Sequence, residues 1–589
     1  MKQTSKILAL IIAMCMVLSI GALASGEASG GMSAPGGGGG SSEPDSYDAI
    51  LDVTADQTID GVSMVSDTAD QNIIHVMDGA TAWVTNSAFQ NGGTGGGGDA
   101  ASFYGVGATL FVSDGTLYAQ NDTIESTVSG GSGVFAYKTG VAYVSGLNIH
   151  TTQTAAGGLH VAGGGTLYAW DCDIETEAPM AAAAIRSDRG GGTMVVDGGR
   201  YVTKGGTGAV YVTADISIHD AYLYAGGSEG VAIEGKNSIR LFDSDLTCTM
   251  LPSELNDNRV WNIIVYQSMS GDADVGTSEY DMIGGTLTCN AGPVVYNTNT
   301  SSYITFKDVD VTYGADTTYF LQVTGNSSSR TWGRAGANGA NCVFSAYSQD
   351  MYNGVVYDTI SNLDMYLLDG SCLVGAIACD DSLNGGNSGD GKCNVTIDAS
   401  SVWYVTGNSY VNGTLSNAGT IQNAYIMDTN GNYIAGSYEY YLNMLDAQMK
   451  HHKAVVLSFN YRTCVEAPAP ASINDVHAAY QYLLDNADEL NIDPSMIVVH
   501  GFSTGGQFAL CLGFRLKKYG IKPRAIIASL PIVDDVNDNQ SGTFSFYNAE
   551  PDTIDAWDAE GIRLTMQMWL GEHYGDPALP PDALPSRAT

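Results

Sequence analysis

Gly165-Thr166-Leu167-Tyr168 and, 27 positions on, Gly192-Thr193-Met194-Val195 are the same phrase, a glycine and a threonine opening a run of β-formers. Similar runs spread in both directions. Ala82-Trp83-Val84, Leu110-Phe111-Val112 and Ala142-Tyr143-Val144 precede it, and Ile216-Ser217-Ile218, Ile239-Arg240-Leu241, Ile304-Thr305-Phe306, Met365-Tyr366-Leu367 and Val395-Thr396-Ile397 follow. Asn237-Ser238-Ile239-Arg240-Leu241 and Ser301-Ser302-Tyr303-Ile304-Thr305 read as a second matched pair. The best-spaced runs lie about 23 to 27 residues apart, each followed by a small Gly, Asp, Asn or Ser cluster and a second β-type run. Three short strands with tight polar turns use about that many residues, and stacking one such coil on the next buries each inward face. A β-sandwich array also has short strands and frequent turns. Self-similar phrases with little helix between them favour the solenoid.

On these phrases, residues Asp45 to Asn417 resemble the right-handed parallel β-helix (pectin-lyase-like) class. Enzymes of that class imply a basic residue with clustered acids on one strand face. Here Arg186, Arg189, Arg240, Arg330 and Arg334 read as scattered, and no recurring carboxylate pair marks a face. Asp243 and Asp245 read as alternating on one strand, where they are either weak cation ligands or solvent-facing turn residues. The many Tyr and Trp residues either stack on sugars or pack coil against coil.

Bulk properties bound the rest. With 63 Asp and Glu against 24 Lys and Arg, the formal net charge is -39, a surface that repels phosphate backbones and anionic lipid heads; nucleic acid is excluded as a partner. The 73 Gly, 15 Pro and 15% charged residues fit neither collagen nor a disordered acidic chain. Lys2 and Lys6 precede an apolar run from Ile7 to Ala22 that ends in Ala22-Leu23-Ala24, so residues 1–24 read as a signal peptide cut after Ala24 and the chain as secreted or displayed on the cell surface. No later stretch is long and apolar enough to span a bilayer. Residues 25–44 read as a flexible Gly/Ser-rich leader. Nine cysteines follow Ala24, none in a CxxC pair; Cys372, Cys379 and Cys393 are close enough for a bridge, and the others read as small buried residues.

After Asn417 the texture changes. Helical periodicity from Tyr438 to His451, a strand Ala454–Phe459, a helix Ser472–Leu490, a strand Met496–Val499, a helix Gly506–Tyr519 and a strand Ala525–Ala528 alternate as in a doubly wound parallel sheet. His500-Gly501-Phe502-Ser503-Thr504-Gly505-Gly506 sits between strand and helix and contains G-x-S-x-G. A serine on so sharp a turn needs neighbours without side chains, hence Gly501 and Gly505. The helix that follows aims its first amides at a developing oxyanion, so Ser503 is the candidate nucleophile and the Thr504 amide a candidate oxyanion donor.

Asn460-Tyr461-Arg462, Glu466-Ala467-Pro468-Ala469-Pro470, Asn474-Asp475-Val476 and Asn491-Ile492-Asp493-Pro494-Ser495 stand in order before the elbow. Residues 418–589 are thereby similar to the hormone-sensitive-lipase-like carboxylesterases. The resemblance implies a partial α/β-hydrolase domain that cleaves small esters through an acyl-serine, without metal or organic cofactor. The family's His-Gly-Gly-Gly oxyanion loop falls at Thr429-Asn430-Gly431-Asn432, which makes the Gly431 and Asn432 amides the further candidate donors. The family's acid and histidine lie after the elbow, and no Asp or His here occupies either position. His500 and His573 read as structural. Two functions follow: a secreted ester hydrolase carried on a β-helix, or a structural, adhesive or glycan-binding β-helix with an inert hydrolase remnant.

Overall fold

The computed structural model describes residues 42–178, 180–326, 332–422, 425–427, 433–436, 457, 461–462, 467–529, 531–533 and 566–588. Residues 49–422 form three stacks of parallel strands that the chain visits in turn. The first sheet runs through thirteen strands from Ala49–Val53 to Ile377–Cys379, and the second through fourteen from Gln57–Asp60 to Leu415–Asn417. A third of ten strands, from Ser63–Ser66 to Asp310–Thr312, is followed by one of four, from Asp350–Tyr352 to Thr420–Gln422.

All the quoted phrases are strands apart from the leading Asn237, and all but Leu110-Phe111-Val112 belong to the second sheet. Gly165 to Tyr168 pair residue for residue with Gly192 to Val195. The other matched pair is out by one. Ile239 is opposite Tyr280, which is opposite Ile304, so Tyr303 lies in the outward column and is 53% exposed. A slip of one residue exchanges the faces of a strand, and the serines that suggested the alignment do not carry the inward pattern.

Inward columns make the core. Ala82, Leu117, Ala142, Leu167, Met194, Ile216 and Ile239 are successive register partners in the second sheet, all buried. One continuous apolar cluster runs from Val53 to Val405. At seven of the fourteen second-sheet strands the Asn or Asp that follows has a conformational cause. Asn86, Asn121, Asp171, Asp220, Asp243, Asp308 and Asp369 all have φ between 47° and 57°, the left-handed region that Asn and Asp tolerate better than most residues. Asp243 is therefore a turn residue between Ser238–Phe242 and Asp245–Cys248 and does not alternate with Asp245 along one strand. Asp245 accepts a hydrogen bond from the Thr286 hydroxyl at 2.6 Å.

The first sheet escaped the phrase pattern because much of it is covered on both faces. Val134–Tyr137 and Leu159–Ala162 are buried at every position, so they lack the alternation that marks a half-exposed strand. A short helix, Gly98–Tyr104, and Tyr47 help cover Phe111, Phe135 and Tyr137. Trp261, Tyr266, Tyr296 and Trp332 form a second aromatic cluster.

In the C-terminal region the parallel strands Val498–Phe502 and Ala525–Ser529 pair directly, joined through the helix Thr504–Lys518, with a second helix at Ala471–Asp485. Their core includes Ile473, Val476, Phe508, Leu512, Trp569 and Leu584. The expected strand Met496–Val499 begins two residues later and continues through Phe502 to the elbow. The expected helix Ser472–Leu490 ends at Asp485. The expected helix Tyr438–His451, most of the strand Ala454–Phe459 and residues 1–41 lie outside the described residues. Among the described residues no helix is long and apolar enough to cross a membrane.

Candidate active site

Ser503 occupies the one-residue turn between Val498–Phe502 and Thr504–Lys518, with φ 56° and ψ -121°. A non-glycine residue with positive φ is strained, and the surrounding bonds hold it there. The Ser503 N–H donates to Ser529 O at 2.8 Å, extending the strand pairing through the turn, and Ser503 O accepts from the Gln507 N–H at 3.1 Å, closing the first helical turn. Thr504 is the first helical residue, where backbone N–H groups have no acceptor within the helix.

The glycines divide unevenly. A Cβ on Gly501 would lie 2.0 Å from Gly505 O and 2.7 Å from Gly506 N, so strand and helix approach too closely there for any side chain. A Cβ on Gly505 would meet nothing within 4 Å. The closer constraint is at Gly506, whose Cβ would sit 3.0 Å from Ser529 O and 3.3 Å from Pro531. The motif drew attention to Gly505; the adjacent glycine, visible in the same Gly505-Gly506 pair, is the one the packing restricts.

The motifs before the elbow build its support. Arg462 grips Asp475 through its backbone N–H at 2.9 Å, Nε at 3.0 Å and an Nη at 2.8 Å, and Ser472 Oγ donates to Arg462 O at 2.7 Å. The Arg462 hydrogen bonds hold the Asp475 carboxyl below the usual range against some desolvation. Tyr461 packs edge-on against Phe508, ring centroids 5.0 Å apart, and Phe508 against Trp569. Asp493 caps the Pro494–Met496 turn by accepting from the Ser495 N–H at 2.9 Å. At the far end of the elbow helix Arg515 and Lys518 hold Asp582, whose burial would raise its carboxyl pKa but whose two cations outweigh that and lower it. Cationic residues suit the negative end of that helix.

Gly431 and Asn432 lie outside the described residues. His500 is exposed on the strand, and His573 ends the exposed turn Gly571–His573 beside Glu572. Among the described residues none is hydrogen-bonded to Ser503 through its side chain.

The strand body gathers charges that looked dispersed in sequence. Arg186 Nε lies 2.6 Å from Asp188, which is 2.9 Å from His160 Nε2, with Ser132 Oγ 3.2 Å from His160 Nδ1. This group is buried, and desolvation pushes His160 down to about 4. Arg189 pairs with Asp272, and Arg240 reaches Asp215 and Glu279 at 2.7 and 2.8 Å beside a cleft of about 290 Å³. Register brings Arg240 to acids 25 and 39 positions away in sequence. Arg330 lies outside the described residues. The outward aromatics Trp83, Tyr118, Tyr143 and Tyr168 form a ladder with centroids 4.9 to 6.2 Å apart and planes within 10°. Their faces cover one another, so they present edges to solvent. No disulfide occurs among the described residues; Cys172, Cys248, Cys289, Cys342, Cys393 and Cys511 are buried and Cys372 and Cys379 half-buried. Burial pushes the Cys248, Cys342 and Cys393 thiols up to about 12.

A strand, a strained serine and a helix N-terminus in this order are a nucleophile elbow in form. Residues 430–587 match the family described as the alpha/beta hydrolase fold, and the C-terminal part of the chain is an α/β-hydrolase domain. The chain is similar to an AB hydrolase superfamily protein of Schizosaccharomyces pombe, 28% identical over 148 residues, 24% of this chain and 41% of that protein. It is similar to carboxylesterase NlhH of Mycobacterium tuberculosis, 39% identical over 71 residues, 12% of this chain and 22% of that protein. It also resembles Lipase 2 of a Moraxella species, 40% identical over 68 residues, 12% of this chain and 15% of that protein. The chain spans less than half the length of each. No solved structure matches it.

Proposed function

We propose that the chain is a secreted serine hydrolase of small carboxylic esters whose catalytic domain is carried on a right-handed parallel β-helix. The observation that carries the catalytic part is the left-handed backbone of Ser503 between strand and helix. In the reaction, Ser503 Oγ attacks the ester carbonyl, the oxyanion is met by the Thr504 amide and by those of Gly431 and Asn432, and the proton given up by the Ser503 hydroxyl passes to the departing oxygen, which leaves as the alcohol while the acyl-serine forms. Water then attacks the acyl carbonyl, releasing the acid and restoring the hydroxyl. Similarity to a carboxylesterase over 71 residues and to a lipase over 68 supports ester substrates. Three parallel sheets visited in turn support the β-helix, and the Lys2, Lys6 and Ala22-Leu23-Ala24 pattern supports secretion.

Turnover of a chromogenic short-chain ester by the full chain tests the catalytic reading. Loss of turnover in Ser503→Ala is expected, and equal turnover by the two proteins refutes it.

A second reading is favoured by one observation: among the described residues no base reaches Ser503. On that reading the β-helix is an adhesive or glycan-binding body and the hydrolase domain is inert. Retention of the folded full chain on a cell-surface polysaccharide matrix, with no ester turnover, is its expected signature. Failure to bind any such matrix counts against it.

A further inference from the structure

On the outward face of the third sheet, Glu125, His150 and Glu175 are direct register neighbours on three successive parallel strands, Thr123–Ser126, Asn148–Thr151 and Asp173–Thr176. The alternate residues Ile124, Ile149 and Ile174 point into the core, so the backbone fixes the outward three in one row. Glu177 follows just beyond the last of these strands. The imidazole is held at one nitrogen: His150 Nδ1 lies 2.9 Å from Glu125 Oε2. A carboxylate on Nδ1 places the proton there and leaves the Nε2 lone pair facing the other side.

That side holds two more carboxylates. His150 Nε2 lies 3.6 Å from Glu177 Oε1, beyond a hydrogen bond, and one ligand atom each from His150, Glu175 and Glu177 lie within 4.8 Å of one another. Two ligands on one tetrahedral zinc ion, each about 2.0 to 2.1 Å from it, are about 3.4 Å apart. A lone pair directed at carboxylates is repelled unless a proton or another positive charge lies between them. Positive charge is already drawn there: the Lys204 ammonium sits on Glu175 Oε1 and lies 3.2 Å from Glu177 Oε1, on a side chain that is 48% exposed. Arg200 remains on the far oxygen of Glu175 at 3.3 Å.

We propose that His150, Glu175 and Glu177 form a site for a zinc-class divalent cation, with Glu125 orienting the imidazole and Lys204 holding the ion's place by its ammonium. Carboxylate support of the second imidazole nitrogen is the usual arrangement behind a metal-bound histidine. One imidazole nitrogen among the donors selects zinc or its borderline neighbours over calcium and magnesium, which take oxygen. On binding, the Lys204 ammonium leaves, the two carboxylates and Nε2 take the ion, and water completes the tetrahedron at the open side.

Titration calorimetry of the full chain with Zn2+ tests this, with Co2+ absorption as the second readout and circular dichroism confirming that each variant is folded. One Zn2+ site is expected, unaffected by millimolar Ca2+. It weakens at least tenfold in His150→Ala and in Glu177→Gln, and binds at least as tightly in Lys204→Met. The Co2+ spectrum should show ligand-field bands without a thiolate charge-transfer band. The proposal is overturned by absence of Zn2+ binding to the wild type, by equal binding in His150→Ala, by weaker binding in Lys204→Met, or by a thiolate band.

Discussion

The strand body and the hydrolase domain solve the same problem, burying apolar surface, at different scales. The body's core is a set of inward columns running from Val53 to Val405, in which a residue on an interior strand is confined by apolar neighbours above and below. The domain's core is a small cluster around Phe508, Leu512 and Trp569, and among its described residues Asn491 and Ser503 are the non-glycine positions with positive φ, Ser503 at the elbow itself. Repetition makes a structure in which no single residue is special. The elbow depends on a few positions where a backbone atom of one element touches another.

The largest expected effect lies in the body. Phe306 is fully buried and packs against Tyr280, Phe320 and Phe344. Phe306→Ala is expected to cost about 3–5 kcal/mol, read as a fall in the denaturant midpoint. A cost under about 1 kcal/mol would mean that the stack relaxes around a hole and that the column is not tightly confined.

The glycines sharpen the contrast. Gly501→Ala forces a methyl into Gly505 O and is expected to cost about 1–3 kcal/mol with loss of Ser503 reactivity. Gly505→Ala, with open space at its Cβ, is expected to stabilise the helix by up to about 1 kcal/mol. Thermal unfolding of both variants, showing opposite signs, checks the assignment.

A pH effect belongs to the body. Asp122 is buried, accepts from the Ser87 N–H at 2.8 Å, and is pushed up to about 6, chiefly by burial. An acid raised on folding contributes stability that is full below its unfolded value near 4 and is lost as pH rises through about 6. After allowance for screening the loss is about 1–2 kcal/mol, and Asp122→Asn, which keeps the acceptor, should flatten that part of the stability–pH curve. The smallest effect is at Asp475, where the shift has the opposite sign. Its support is present above the unfolded value and disappears as pH falls through the lowered folded one. Asp475→Asn is expected to cost about 0.5–1 kcal/mol at neutral pH and nothing in strong acid, measured by urea unfolding at both.

Much of this was written in the sequence, for uneven physical reasons. Second-sheet strands are half-exposed, so Gly165-Thr166-Leu167-Tyr168 and Gly192-Thr193-Met194-Val195 alternate visibly and pair as their similarity suggests. First-sheet strands such as Leu159–Ala162 are covered on both faces and show no period to find. The repeated Asp and Asn are legible as turn-formers once their left-handed φ is known, which is why Asp243 was misplaced on a strand. At the elbow, G-x-S-x-G in its strand-to-helix context located Ser503. The Arg462–Asp475 clasp and the role of Gly506 depend on contacts between elements that spacing alone does not specify. The charged groups around His150, His160 and Arg240 were invisible for the same reason: register, not proximity in sequence, assembles them.

The central claim is that Ser503 is an activated nucleophile on a working elbow. Labelling of the folded full chain with a fluorophosphonate probe, followed by mass spectrometry of the modified peptide, tests it most directly. The account predicts a single label on Ser503 that is absent from Ser503→Ala. A folded chain that takes no label, or takes it equally in the variant, would contradict it.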